Sequence, residues 1–286
     1  MSHHKLIIGN AMSMQETENE SVHLMLTSPP YFNAPFDYKD QYHNYDQYLN
    51  VLESVAKEVY RVLKDGRIAV LNIDDMLVNG DKFPIVAHAT KIFVDAGFRY
   101  RDRIIWKKPD GYLRISRRSG VMLQNPYPMY FYPDNLLESI LIFQKGKFDY
   151  KSIPKDVREA SKIDIKEFSD NKWYMTLWEM TNVLPNSELE KDIAAFPQEL
   201  PYRIIKLFSY VGETVLDPFV GSGTTMKAAR NLNRNSIGIE INETLIPIIK
   251  KKMGFDEQIS FLDKDDKLEI IIRNDKNECH CKNQWN

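Results

Sequence analysis

Glu213-Thr214-Val215-Leu216-Asp217-Pro218-Phe219-Val220-Gly221-Ser222-Gly223-Thr224-Thr225 is the stretch from which the fold is read. Its apolar run reads as a buried strand that closes on an acid. A glycine-rich turn follows, and then the helical segment Met226-Lys227-Ala228-Ala229-Arg230. Strand, glycine turn and helix bring a ligand close to backbone N–H groups at a helix N-terminus. Gly221 and Gly223 permit that approach because they carry no Cβ. Asp217, at the strand end, can accept from a ligand's ammonium group. The next apolar run, Ser236-Ile237-Gly238-Ile239-Glu240, reads as another buried strand ending in an acid. An acid about 20 residues beyond a glycine turn is placed to accept both hydroxyls of a ribose. The turn departs from the Walker pattern, because Thr224 and Thr225 stand where Lys and Ser/Thr would be needed. It also lacks the third glycine of a dinucleotide fingerprint.

A second corner lies far upstream, at Thr27-Ser28-Pro29-Pro30-Tyr31. It follows the apolar run Val22-His23-Leu24-Met25-Leu26, a short buried strand. The two prolines end that strand, and Ser28 is held extended by the proline after it. The product is a stiff turn displaying a hydroxyl, backbone carbonyls and an aromatic ring. Such a pocket suits a flat, amino-bearing ring. Taken alone, the tetrapeptide is equally compatible with an ordinary Pro-Pro turn.

Between and around these corners, strands alternate with helices. Lys5-Leu6-Ile7-Ile8 reads as a strand closed by Gly9-Asn10-Ala11. Phe32 to Asp46 reads as a loop. Tyr48, Leu52, Val55, Val59, Val62 and Leu63 are spaced as one face of a helix, with Gly66 as its stop. Arg67 to Ile73 and Arg103 to Trp106 read as strands. Pro84 and Gly97 bracket a helix between them. Leu136 to Phe143 is expected to pair as a hairpin with Arg103–Trp106. Lys151 to Ser169 reads as a surface helix or linker, and Trp173, Trp178 and Leu184 as core packing. The alternation predicts an α/β fold, a mostly parallel sheet covered on both faces.

The chain has 286 residues, 43% hydrophobic, with a formal net charge of −2. Overall charge does not announce a nucleic-acid partner, so any basic footprint must be local. One such stretch holds Arg99, Arg101, Arg103, Lys107, Lys108, Arg114, Arg117 and Arg118 against Asp102 and Asp110. It reads either as a solvated basic loop or as an arm that neutralises phosphate and reads base edges. Both cysteines, Cys279 and Cys281, fall in the C-terminal stretch with His280. That cluster supplies too few ligands at the wrong spacing for a metal site, and no metal is expected. The absence of a disulfide framework, a leader pattern or a membrane-spanning run predicts a cytoplasmic chain.

Asp-Pro-Phe-x-Gly-Ser-Gly-Thr-Thr and Ser-Pro-Pro-Tyr in one chain resemble the S-adenosylmethionine-dependent DNA amino-methyltransferases. With the catalytic motif first and the cofactor turn late, the permuted order resembles their beta class. The resemblance runs from Lys5 to Met253. It implies a doubly wound, Rossmann-like methyltransferase domain over 1–255, with 109–135 and 150–185 as inserted target-recognition or peripheral segments and 256–286 as a tail. Asn10 and Ala11 match the family segment near the cofactor's adenine. Phe196 and Pro197, with Leu200, are similar to the segment closing over its methionine end. Asp217, Pro218, Phe219, Gly221, Ser222, Gly223, Thr224, Thr225 and Glu240 complete the implied cofactor set. Lys107, Lys108, Arg114, Arg117, Arg118, Gln124 and Asn125 are the implied DNA-contacting residues. The chain departs from the family at Asn10, usually Asp, and at Lys191-Asp192, near which a His usually stands.

The resemblance implies that Ser28, Pro29, Pro30 and Tyr31 act on an exocyclic amine of a base flipped out of duplex DNA. Ser28 Oγ and the Pro29 carbonyl would accept the amine hydrogens, and Tyr31 would stack on the base. Carbon-5 methylation of cytosine requires a thiolate, and no cysteine lies near either corner. Ser at the first position is similar to the cytosine-N4 enzymes, whereas Asp is typical of adenine-N6 enzymes. Cytosine N4 is therefore the expected target, with adenine N6 as the alternative. Methylation of RNA or of a protein glutamine ranks behind both. The family also implies a restriction–modification role, with a cognate endonuclease at the same site, and it allows a homodimer.

Overall fold

The structure, a computed structural model, describes residues 2–33, 42–109, 119–181, 196–255 and 266–273. Strands β1 (His3–Ile8) and β2 (Val22–Thr27) lead to helix α1 (Tyr45–Val62) and strand β3 (Leu63–Ile73). A small hairpin, β4 (Met76–Val78) and β5 (Asp81–Phe83), precedes α2 (Ile85–Asp95), β6 (Arg99–Lys107), α3 (Ser119–Gln124) and β7 (Leu137–Gln144). Then come α4 (Lys155–Ala160), α5 (Ile165–Asp170), β8 (Leu177–Glu179), α6 (Glu199–Phe208) and β9 (Thr214–Asp217). The described chain closes with α7 (Thr224–Asn231), β10 (Asn235–Glu240), α8 (Ile246–Met253) and β11 (Lys267–Ile272).

The main sheet has the order β11-β1-β10-β9-β2-β3-β7-β6-β8. Every pairing in it is parallel except those of β7 with β3 and β6. The chain leaves β2 through α1 towards β3, and leaves β9 through α7 towards β10, on the opposite side. The β2–β9 boundary is thus the switch point, where a crevice opens beyond the strand ends. This is the doubly wound, mostly parallel sheet that the alternation predicts.

One face of the sheet packs Ile7, Met25, Leu71, Phe143, Leu216 and Ile239 against α1 and α2. The other packs Leu24, Leu26, Val70, Ile142 and Val215 against α6 and α7. Alternate residues of β2 serve opposite faces, as the two-residue period of a strand requires. In α1 the buried set is Tyr48, Leu52, Val55, Ala56, Val59 and Val62. Each such fully buried aliphatic residue contributes roughly 1.5–3 kcal/mol.

Several boundaries differ from the sequence reading. Helix α1 begins at Tyr45 because Asn44 caps it, its side chain accepting from the Gln47 N–H at 2.8 Å. Gly66 does not stop that helix. It lies inside β3 with φ +80°, where a Cβ would stand 2.7 Å from Phe148 Cα. Glycine is required there by a close backbone approach. Pro84 sits at the cap of α2, one place before its first turn. The hairpin of β6 and β7 forms, with Arg103 opposite Leu141 and Trp106 opposite Glu138.

Two strands are additions. β8, in the stretch read as peripheral, pairs with β6 and buries Trp178. β11, in the stretch read as a tail, pairs with β1 over its whole length. Its alternation is too short and too lysine- and acid-flanked to signal a strand by pattern alone. Leu184 lies outside the described residues, whereas Trp173 and Trp178 are buried.

Candidate active site

Both corners read from the sequence stand at the switch point. β2 ends at Thr27 and β9 at Asp217, and Met25 pairs with Leu216 just before those ends. Thr27 Oγ1 donates to Asp217 Oδ1 at 2.6 Å, and the Phe219 N–H donates to the same oxygen at 3.1 Å. Asp217 is buried, and burial pushes its carboxyl up to about 6, with these donors offsetting part of the rise. Thr225 lies beside the same carboxyl, yet its buried Oγ1 completes no hydrogen bond among the described residues. Pro218 is buried, and Phe219 packs on the main core.

The glycine turn is held by backbone geometry and by Glu240. Gly221 has φ +52° and Gly223 φ +88°, both left-handed, and Gly223 caps α7. The Gly221 N–H donates to Glu240 Oε2 at 2.9 Å, and the Asn242 N–H donates to Oε1 at 2.9 Å. Burial pushes the Glu240 carboxyl up to about 7. The backbone donors oppose that rise, and the Asp217 charge adds to it. The Gly9 N–H donates to the Glu240 carbonyl at 2.8 Å, which brings Asn10 and Ala11 to the same edge. Asn10 Oδ1 accepts from the Met12 N–H, and Ala11 is buried. Arg273, just past β11, donates to the Asn10 carbonyl at 2.8 Å and pairs with Glu16. Phe196 and Pro197 are buried at the start of α6, with Phe196 packed near Leu24, Leu26 and Val215. Lys191 and Asp192 lie outside the described residues.

At the other corner, Pro29 is buried and Ser28, Pro30 and Tyr31 are partly so. Phe32 anchors the turn from behind, its ring 4.8 Å from that of Phe83 and 5.1 Å from that of Tyr45. Asn72 Nδ2 lies 3.5 Å from Ser28 Oγ and donates to Glu138 Oε2 at 2.6 Å. Lys108 Nζ pairs with Glu138 Oε1 at 2.6 Å. Asn72 Oδ1 is buried without a partner among the described residues. Asp74 stands nearby, bonded by the Asn135 amide. Burial raises its carboxyl to about 6, and the Glu138 charge adds to the rise. Asn72 and Glu138 were missed by the sequence reading. The available signal was a lone polar residue inside the apolar run Ile68 to Ile73, and an acid inside a buried strand.

The basic stretch is divided by the fold. Arg99 and Arg103 bond Gln144 and Ser139 across the sheet, and Arg101 lies over the Phe208 ring. Arg99 is at the strand end opposite the site. Lys107 reaches Glu179 at 3.4 Å, and Lys108 is turned inward to Glu138. Gln124 is exposed and Asn125 half-buried at the end of α3, followed by the exposed rings of Tyr127, Tyr130 and Phe131. Arg114, Arg117 and Arg118 lie outside the described residues.

A switch-point crevice with an aspartate, a glycine turn and a second acid defines a methyltransferase-type nucleoside site. The sequence model of the DNA methylase family matches residues 22–251, and the chain belongs to that family. It is 37% identical to the Type II methyltransferase M.MjaI of Methanocaldococcus jannaschii, over 90% of this chain and 93% of that protein. It is 31% identical to the Type II methyltransferase M.MthZI of Methanothermobacter thermautotrophicus, over 88% of this chain and 76% of that one. Among solved structures it is similar to TTHA0409 of Thermus thermophilus, described as a DNA modification methylase and complexed with S-adenosyl-L-methionine. That likeness has a TM-score of 0.71 and 29% identity, covering 94% of this chain and 99% of the other. The protein is a beta-class, S-adenosylmethionine-dependent DNA amino-methyltransferase. Among the described residues, no helix is long and apolar enough to cross a membrane.

The residues present suit that cofactor. Two buried carboxylates provide acceptors for an ammonium and a ribose, and a helix N-terminus provides donors for a carboxylate. The buried, unpartnered Thr225 Oγ1 leaves hydrogen-bonding capacity on the same turn.

Proposed function

We propose that this chain methylates the exocyclic N4 amine of cytosine in double-stranded DNA, by direct transfer to a flipped base. The observation that carries the reading is the Thr27–Asp217 hydrogen bond, which joins the Ser-Pro-Pro-Tyr corner to the cofactor strand at one sheet edge. When bound, S-adenosylmethionine supplies an electrophilic methyl sulfonium. Asp217 would hold its ammonium, Glu240 its ribose, the Gly221–Thr225 turn its methionine end and the Asn10–Ala11 segment its adenine. Phe196 and Pro197 would shield the methionine end from water.

The amine of cytosine is a poor nucleophile, because its lone pair is delocalised into the ring. Ser28 Oγ and the Pro29 carbonyl would accept its two hydrogens and draw the nitrogen towards tetrahedral geometry. Tyr31 would hold the ring plane by stacking. The protein's contribution is positioning and electrostatics, with no covalent intermediate. Gln124, Asn125 and Lys107, together with Arg114, Arg117 and Arg118, are the candidates for DNA contact. Relatives named as Type II methyltransferases support a restriction–modification role with a cognate endonuclease. Ser rather than Asp at the first position of the corner favours cytosine N4.

Mass spectrometry of nucleosides from DNA incubated with the protein and cofactor tests this reading. N4-methylcytosine is expected. N6-methyladenine would overturn the choice of base, and label appearing only in RNA or protein would overturn DNA as the substrate.

A further inference from the structure

The C-terminal turn of α8 carries Lys250, Lys251 and Lys252. Cations there complement the helix dipole, and that suffices for Lys250 and Lys251, which are exposed. Lys252 is half-buried and does something else. Its ammonium donates to Ser222 Oγ at 2.6 Å and to Thr224 Oγ1 at 2.9 Å, on either side of Gly223. Both hydroxyl residues are buried.

An ammonium offers donors only, whereas a hydroxyl has one hydrogen and accepts through its oxygen. A hydroxyl oxygen that accepts from Lys252 must direct its own hydrogen elsewhere. Ser222 and Thr224 are therefore polarised as donors, beside the free N–H groups that open α7. A cluster of donors backed by a cation is a site for an anion. The nearby protein carboxylates are already engaged: Asp217 by Thr27 and Phe219, Glu240 by Gly221 and Asn242. Thr225 Oγ1, on the same turn, is buried with no hydrogen-bond partner among the described residues. The cofactor carries one anionic group, the α-carboxylate of its methionine end.

We infer that Lys252 is a positioning residue that sets the Ser222 and Thr224 hydroxyls to receive the α-carboxylate of S-adenosylmethionine. The inference rests on reading the glycine turn as the cofactor site. It makes one end of the cofactor, and not the other, depend on α8.

Calorimetry with two ligands separates this role from a structural one. S-adenosylhomocysteine carries the carboxylate. Its decarboxylated analogue keeps the adenosine, thioether and ammonium. Lys252→Met should weaken S-adenosylhomocysteine by about tenfold or more, the scale of a lost charge-assisted contact. The decarboxylated analogue should change by no more than about twofold, within ordinary additivity error. Lys252→Arg should restore most of the loss. Thr224→Val, which keeps the lysine, should show the same selectivity if Lys252→Met does not fold. Equal losses for both ligands, or none for either, would overturn the inference. Failure of the wild-type protein to bind S-adenosylhomocysteine would instead overturn the cofactor site itself.

Discussion

Thr27 and Asp217, 190 residues apart in the chain, share a 2.6 Å hydrogen bond across the boundary where the sheet changes winding direction. The residue after Thr27 is the proposed amine-binding serine, and Asp217 is the proposed ammonium acceptor. One hydroxyl therefore braces the base corner against the cofactor strand. Thr27→Val keeps the shape and removes the bond to a buried carboxylate. It should cost about 1–3 kcal/mol of folding stability and should weaken both cofactor affinity and turnover. Urea titration and calorimetry would check this, and an unchanged cofactor affinity would show that the brace is not needed.

Ser28→Ala should lower turnover on the order of a hundredfold, the scale of removing one polar group from a site of developing charge. Cofactor affinity should be nearly unaffected, because Ser28 faces the base. Single-turnover kinetics beside a binding titration separate the two.

Glu138 holds the amide of Asn72, which lies beside Ser28 Oγ. A carboxylate only accepts, so it forces the Asn72 nitrogen towards itself. Glu138→Leu removes that constraint and frees Lys108. Turnover should fall by about tenfold with cofactor affinity preserved. Glu138→Gln keeps an acceptor and should retain more activity than Glu138→Leu; equal activities would remove this pair from the site.

Glu240 titrates upward on burial, from an ordinary value of 4.5 to about 7. The folded state then holds a proton that the unfolded chain has released. Stability without cofactor is fully present below about pH 4.5 and is lost as pH rises through about 7. Asp217, raised to about 6, acts in the same direction. Cofactor affinity should run the other way, tightening as both acids ionise. Thermal melts from pH 5 upward, with and without S-adenosylhomocysteine, should show the two opposing slopes, and Glu240→Gln should flatten the ligand-free one.

Arg67 and Glu213 form a buried ion pair, with Arg67 Nη1 donating to Glu213 Oε2 at 3.1 Å and the Phe148 ring stacked on the guanidinium. Glu213→Ala strands a buried cation and should destabilise the protein by about 3–5 kcal/mol, read from urea unfolding. A loss below about 1 kcal/mol, the range of an exposed pair, would mean that the pair is hydrated.

The amino-acid sequence alone carried the motifs and the fold class. Periodicity marked β2, α1, β9 and β10, because a residue's side of a strand or helix follows from local geometry. The Asp217–Thr225 turn and the Ser28–Tyr31 corner were legible because prolines, glycines and their neighbours restrict the backbone on their own. Gly66 misled for the same reason. A left-handed glycine looks alike as a helix stop and as a close approach to Phe148, and only the Phe148 backbone tells them apart.

Tertiary structure alone decided which polar groups meet. Asn72, Glu138 and Lys108 come from three strand ends, and Lys252 reaches back to Ser222 from a later helix. The basic run from Arg99 was likewise divided, its first residue at one end of β6 and Lys107 at the other. A hydrogen bond depends on distances of a few ångströms between segments far apart in sequence. Those distances are set by sheet order and register, which side-chain pattern along one chain does not encode.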